Sequence, residues 1–304
     1  MNRIDHESSI ELRLPEPFSF TECLVYLGRS DQEMLHRIKE GYLYKLVKID
    51  ESLILFQLGF KQNSIYVEFP ISPPPPDTRE KVAAYVWEWF DLEQDLNPFY
   101  AMAGKDKVLR PLIRRYCGLR VMGIPDLFEA LTWAIIGQQI NLTFAYTLKE
   151  RLIEQFGESL TFEGDTFWLF PSYEKIASLD VEDLKKLQFS ARKAEYVIGV
   201  ARVMTNGELT KEALLQKDYD QIQASLMAIR GVGAWTADYV LMRCLHHSAA
   251  FPIADIGLHH ALKLQLGLER KPTIEEIKDI ARSWNGWQAY ATFYLWRSLY
   301  ESTI

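Results

Sequence analysis

The sequence predicts an α+β protein. Residues 1–98 read as an N-terminal antiparallel sheet domain with covering helices, and residues 99–304 as a mostly helical core. Three observations carry this expectation. Alternating and β-branched runs fill the first hundred residues. The stretch "SPPPPDT" then closes off any ladder, because proline has no N–H to donate. Beyond Asn97–Pro98 the apolar residues fall at helical spacing, with capping residues ahead of the runs.

In the first unit, "SIELRL" puts Ile10, Leu12 and Leu14 on one face, and "SIYVEFP" does the same with Ile65, Val67 and Phe69. "YLYKLVKI" and "SLILFQLGF" are strand-length runs rich in β-branched and aromatic residues, separated by "DE". "FTECLVYL" spaces Phe20, Leu24 and Leu27 as a helix over that sheet, and "REKVAAYVWEWFDL" continues as a helix after the prolines. In the second unit, Asp126 with Glu129 opens a helix by capping-box spacing, and Thr273 with Glu276 opens another. Asn141 starts a helix that stops at Gly157, and Ser190 starts one that ends before Gly207. "WQAYATFYLWRSL" is the closing helix.

The composition is that of an ordinary globular protein, with 48% apolar and 25% charged residues. The N-terminal residues lack a signal-like apolar segment, and no apolar run is long enough to span a bilayer. Cys23, Cys117 and Cys244 form no CxxC pair, so a zinc or iron–sulfur centre is not expected. A cytoplasmic protein with reduced thiols is the plain reading. The net charge of −7 argues against a nucleic-acid partner, although "LKKLQFSARKAEYVIGVAR" is locally basic.

The segment "IRGVGAW" carries the most informative turn. A helix is expected to end near Ile229 and another to begin near Ala234. Gly231 and Gly233 can take positive φ and admit another backbone closely, and the next helix offers free N–H groups with a positive dipole end. Such a turn can hold a phosphate without a basic side chain; an ordinary helix–helix connection is the alternative. Downstream, "AAFPIADIGL" strands Asp255 in apolar surroundings. It reads as the N-cap of "IGLHHALKLQL", a role compatible with catalysis because a cap fixes the carboxylate. Trp235 and Tyr239 share one helical face.

These residues resemble the helix-hairpin-helix-GPD superfamily of DNA glycosylases, most closely its DNA-3-methyladenine glycosylase II (AlkA-type) branch. The hairpin with its downstream aspartate is similar to the superfamily as a whole, while "IIGQQI" and "FYLW" look like the alkylbase branch. The resemblance implies a two-lobed core with a cleft and a helix-hairpin-helix over about 220–245. It implies Asp255 as catalytic residue and Trp235, Tyr239, Trp296 and Gln138 as substrate-binding residues. It implies DNA contacts from Gln139, Gly231, Val232, Gly233 and Thr236, with a monovalent cation held at the turn of Gly231 and Gly233. No other metal and no cofactor are implied. The partner would be double-stranded DNA carrying alkylated bases, bound by a monomer away from membranes. Gln139 stands where the AlkA type has a leucine wedge, and Gly286 and Gln288 stand where it has proline and arginine. Strand-cutting members carry a lysine two residues past the second hairpin glycine; here that position is Trp235, so hydrolysis without lyase activity is expected.

The implied chemistry is removal of a flipped-out, cationic alkylpurine. Aromatic faces would attract the cation, and one carboxylate would suffice because the charged base is already a good leaving group. The rival readings are a non-enzymatic DNA-binding hairpin, a glycosylase for another lesion such as 8-oxoguanine, and a metal enzyme built on His246, His247, His259 and His260.

Overall fold

The computed structural model describes residues 1–300. Its first unit is an antiparallel sheet of β1 (Asn2–Asp5), β2 (Ser9–Arg13), β3 (His36–Lys39), β4 (Tyr42–Ile49), β5 (Ser52–Lys61) and β6 (Ser64–Glu68), in the order β1-β2-β6-β5-β4-β3. The register pairs Ile10 with Val67 and Leu12 with Ile65, so the buried alternate residues of β2 and β6 sit side by side. The alternating runs account for β2 and β6, and the runs rich in β-branched and aromatic residues for β4 and β5. The edge strands β1 and β3, "NRID" and "HRIK", are short and polar, as exposed edges usually are, and leave no alternation to detect.

Helices α1 (Phe20–Leu27) and α2 (Pro76–Trp89) cover the buried face, with Phe20 stacked on Phe60 and Tyr85 edge-on to Phe56. The last of the prolines does not delay α2 as the sequence reading expected. Pro76 opens the helix, because its missing N–H has no intrahelical partner in the first turn.

The second unit begins with α3 (Asn97–Ala103) and α4 (Leu109–Arg115), followed by α5 (Leu127–Gly137) and α6 (Leu142–Phe156). A hairpin of β7 (Ser159–Phe162) and β8 (Asp165–Trp168) comes next and was not expected. Glu163 and Gly164 both have positive φ, the geometry of a tight two-residue hairpin turn. Asp165 pairs with Arg37 and Lys39, and Phe167 packs on Leu46 and Leu55, docking the hairpin on the sheet. The helices α7 (Tyr173–Ala177), α8 (Val181–Lys186), α9 (Ala191–Thr205), α10 (Lys211–Leu215), α11 (Tyr219–Met227) and α12 (Ala234–Arg243) complete one lobe around α5. Helices α13 (Ile256–Leu266), α14 (Ile274–Ile280) and α15 (Gln288–Arg297) then return to pack with α3 and α4 as the other lobe. One continuous apolar core runs from the sheet into both lobes. Among the described residues, no helix is long and apolar enough to cross a membrane.

The caps agree with the sequence. Asp126 accepts from Glu129 N–H, Asn141 from Phe144 N–H and Ser190 from Lys193 N–H, and Thr273 with Glu276 forms a complete capping box.

Helix α15 is tied to the N-terminal half by polar bonds. The Tyr290 hydroxyl donates to buried Asp91 at 2.6 Å, and Arg297 Nε donates to Glu22 at 2.9 Å. Tyr294 donates to the Leu119 carbonyl at 3.1 Å, so the Tyr100 hydroxyl donates to it at 2.7 Å while accepting from Gly118 N–H. Removing one of these donors leaves a buried acceptor unmatched. Tyr290→Phe is expected to lower the free energy of unfolding by about 1–3 kcal/mol. Urea denaturation measures this, and an unchanged midpoint would contradict the anchoring role.

Candidate active site

A cleft of ≈ 800 Å³ opens between the lobes, lined by residues of α5, α6, α12, α13 and α15 and by the end of α1. Asp255 lies on its wall. The carboxylate caps α13: Oδ1 accepts from Leu258 N–H at 2.7 Å. The same oxygen accepts from Trp296 Nε1 at 2.7 Å, and Oδ2 accepts from Trp235 Nε1 at 3.3 Å. Two indoles from different helices and one helix terminus therefore fix a single carboxylate. Gly257 makes room for this arrangement, since a Cβ there would stand 3.0 Å from Oδ1 and 3.4 Å from the Trp296 indole. The preceding loop is tied down by Asp255 N–H to the Pro252 carbonyl at 2.8 Å and by His259 Nε2 to the Ile253 carbonyl at 2.8 Å.

The aromatic residues form a continuous wall. Trp235 and Tyr239 are 5.7 Å apart between ring centres, and Tyr239 and Trp296 are 6.2 Å apart. Behind them, Arg243 Nη1 donates to the hydroxyls of Tyr239 and Tyr26, both at 2.9 Å. Burial pushes the Tyr239 phenol up to about 12 even with Arg243 alongside, so it is neutral at physiological pH. Tyr26, Arg29, Trp133 and Arg243 also line the cleft or brace it, and the sequence reading named none of them. Arg243 left a faint signal, an arginine four residues after Tyr239 on one helix face. Tyr26 and Arg29 left none, because they arrive from the N-terminal unit.

The two hairpin glycines differ: of the two positions able to take positive φ, Gly231 alone does so. Gly231 has φ +95, and a Cβ on it would overlap the Tyr196 ring. Gly233 has φ −96 and caps α12, and nothing lies within 4 Å of where its Cβ would be. Val232 is buried, and its N–H donates to the Ile229 carbonyl at 3.0 Å.

Thr236 and Gln138 are bonded to each other. Thr236 is buried rather than presented to solvent, and its hydroxyl accepts from Gln138 Nε2 at 3.0 Å. The same amide nitrogen of Gln138 donates to the Gly231 carbonyl at 3.0 Å. Gln138 thus joins the α5–α6 loop to the hairpin, and its amide donor is spent on protein. Gln139, next in the chain, is exposed with φ +55, a backbone conformation costing a non-glycine residue about 1–3 kcal/mol. Lys193 secures this loop from below by donating to the Ile136 carbonyl. Gly286 has φ +81, which the proline of the resembled family could not adopt.

The histidines do not converge. His246 faces Asp91 and Glu88, His247 packs on Tyr219 and His259 bonds the Ile253 carbonyl. Among the described residues, no cluster of histidine, cysteine and carboxylate groups is arranged to hold a metal.

A family model described as HhH-GPD superfamily base excision DNA repair protein matches residues 132–286, and one described as 8-oxoguanine DNA glycosylase, N-terminal domain, matches residues 8–131. The chain belongs to the HhH-GPD superfamily. It is 46% identical to a Bacillus subtilis (strain 168) protein named DNA-3-methyladenine glycosylase, over 96% of this chain and 97% of that one. Its fold is similar to a 3-methyladenine DNA-glycosylase from Archaeoglobus fulgidus, with a TM-score of 0.80 at 24% identity, covering 94% and 97% of the two chains. It is also similar to a Clostridium acetobutylicum 8-oxoguanine glycosylase/lyase solved with double-stranded DNA, with a TM-score of 0.76 at 20% identity over 98% and 97% of the chains.

The different surroundings of the glycines predict different variants. Gly231→Ala forces a side chain into Tyr196 at a positive φ and is expected to destabilise the protein by about 1–3 kcal/mol. Gly233→Ala is expected to stay within about 0.5 kcal/mol of wild type. Thermal unfolding of both variants separates them; equal losses would contradict the assignment.

Proposed function

We propose that this HhH-GPD protein is a monofunctional DNA glycosylase that hydrolyses the N-glycosidic bond of alkylated purines, such as 3-methyladenine and 7-methylguanine, flipped out of duplex DNA. The observation that carries this reading is Asp255. Among the described residues lining the cleft it is the one carboxylate, it is held by two indoles and a helix terminus, and no lysine lines the cleft with it.

The reaction follows from this set of groups. Water adds its oxygen to C1′ of the sugar, and the C1′–N bond breaks with its electron pair leaving on the base. Asp255 stabilises the positive charge that develops on the sugar and receives the proton that water gives up. A cationic alkylpurine leaves neutral, so no second carboxyl is needed to protonate it. Trp235 and Trp296 offer stacking surfaces to the base, and among the described residues no cation lies over either indole. The product is an abasic site in an intact strand.

The hairpin suits the phosphate backbone. The exposed Gly233 and the start of α12 offer backbone N–H groups beside open space. Arg230 is 78% exposed, lies over the Tyr196 ring and pairs with Glu195 at 2.8 Å, a surface bond weak enough to be exchanged for a phosphate. A monovalent cation at the turn of Gly231 and Gly233 would rest on backbone carbonyls, a neutral donor set, and its charge would draw the phosphate in. Gln139, with the exposed apolar side chains of Leu142 and Ile256 at the rim, is placed to fill the gap the flipped nucleotide leaves. In this reading residues 1–98 are the sheet domain, residues 99–304 are the catalytic core and the enzyme acts as a monomer.

The match of residues 8–131 favours a second reading, an 8-oxoguanine glycosylase with strand-cutting activity. Trp235 at the lysine position of the strand-cutting members and the absence of a cleft lysine count against it.

Methylated duplex DNA distinguishes the readings. The wild-type protein is expected to release alkylpurines, to leave heat-labile abasic sites and to form no covalent adduct under borohydride. Asp255→Asn is expected to slow release at least about a hundredfold while keeping affinity for lesion DNA, because asparagine can still cap α13. Wild-type turnover by this variant would remove Asp255 from the chemistry, and a trapped adduct would restore the lyase reading.

A further inference from the structure

Arg29 lies just beyond α1, in the sheet unit, yet it lines the cleft that holds Asp255. Its guanidinium carbon sits 4.1 Å from the centre of the Tyr26 ring, and Nη1 donates to the Tyr26 carbonyl at 2.8 Å. Among the described residues that is its one hydrogen bond, and no carboxylate pairs with it. A guanidinium carries five N–H donors, so most of its donor capacity remains available in the cleft. Arg243 differs: its bonds to Met122, Tyr26 and Tyr239 turn it into the protein. The cleft therefore holds two guanidiniums and one carboxylate. An aromatic site suited only to cations would not place an underused cation on its wall.

We propose that Arg29 determines lesion specificity by donating to the acceptor edge of the flipped base. Its charge promotes release of neutral purines that carry a ring carbonyl, and it gives no such help to cationic alkylpurines. This rests on the glycosylase reading above and deepens it. When the C1′–N9 bond of a neutral purine breaks, the electron pair makes the departing base an anion, delocalised over its ring nitrogens and carbonyl oxygen. Water supplies the hydroxyl that C1′ gains, and the proton water loses ends on the base. A guanidinium beside the carbonyl stabilises this anion as it forms. A cationic base becomes neutral on leaving and develops no charge for Arg29 to stabilise.

The test uses the full-length protein and two duplexes, one with a single hypoxanthine (neutral, with a ring carbonyl) and one with a single 7-methylguanine (cationic). Single-turnover release is measured for wild type, Arg29→Met and Arg29→Lys, with unfolding midpoints recorded for each. Arg29→Met is expected to slow hypoxanthine release at least tenfold and to leave 7-methylguanine release within threefold, while Arg29→Lys recovers part of the hypoxanthine rate. Should Arg29→Met fail to fold, Arg29→Gln takes its place. Equal losses on both duplexes, no loss on either, or a wild type that releases 7-methylguanine but no hypoxanthine would each overturn the proposal. A wild type that releases neither base would instead overturn the glycosylase reading.

Discussion

The carboxylate of Asp255 is held at three points, and the rest of the molecule is arranged so that those points meet. The N-terminus of α13 supplies one N–H, Trp235 on α12 another and Trp296 on α15 the third. Hydrogen bonds to a charged group contribute about 1.5–3 kcal/mol each, so the geometry is well determined. Helix α12 belongs to one lobe and α13 and α15 to the other. The chain path that sends its last helices back to α3 and α4 is therefore what allows the lobes to converge on one side chain. The anchors of α15 to Asp91, Tyr100 and Glu22 serve the same end, because Trp296 reaches Asp255 only if its helix is fixed.

The electrostatics are local. A net charge of −7 would repel a polyanion if it were spread evenly. The surface proposed for DNA instead offers backbone N–H groups at the hairpin and an exposed arginine. The charges of the basic-looking α8–α9 segment are largely used internally: Lys185 and Lys186 pair with Glu182 and Asp183 on their own helix, and Lys193 braces the loop of Gln138. Inside the cleft, guanidinium groups stand beside the aromatic residues. Tyr26 and Tyr239 already carry Arg243 near their rings, whereas among the described residues no cation lies over the indoles of Trp235 and Trp296.

What the sequence made legible was local. Caps are side-chain-to-backbone bonds within three residues, so Asp126, Asn141, Ser190 and Asp255 could each be assigned from their neighbours alone. Trp235 and Tyr239 followed from helical spacing. What remained hidden was set by tertiary approach. Gly231 is required by the ring of Tyr196 in α9, which no local pattern reveals. The bond between Gln138 and Thr236 was hidden because it spans nearly a hundred positions of sequence. Arg29 enters the cleft from a unit whose own signals are those of a sheet. The β7–β8 hairpin was missed because its strands are too short for alternation to register.

The central claim is that the indole N–H of Trp296 holds Asp255 in its working orientation. Trp296→Phe keeps an aromatic face for the base but removes that donor. The decisive measurement is its single-turnover rate of 7-methylguanine release from duplex DNA, taken beside its DNA affinity and unfolding midpoint. Loss of one hydrogen bond to a charged group predicts a rate about ten to a hundred times slower, with affinity and folding close to wild type. A wild-type rate from a folded Trp296→Phe protein would contradict the account.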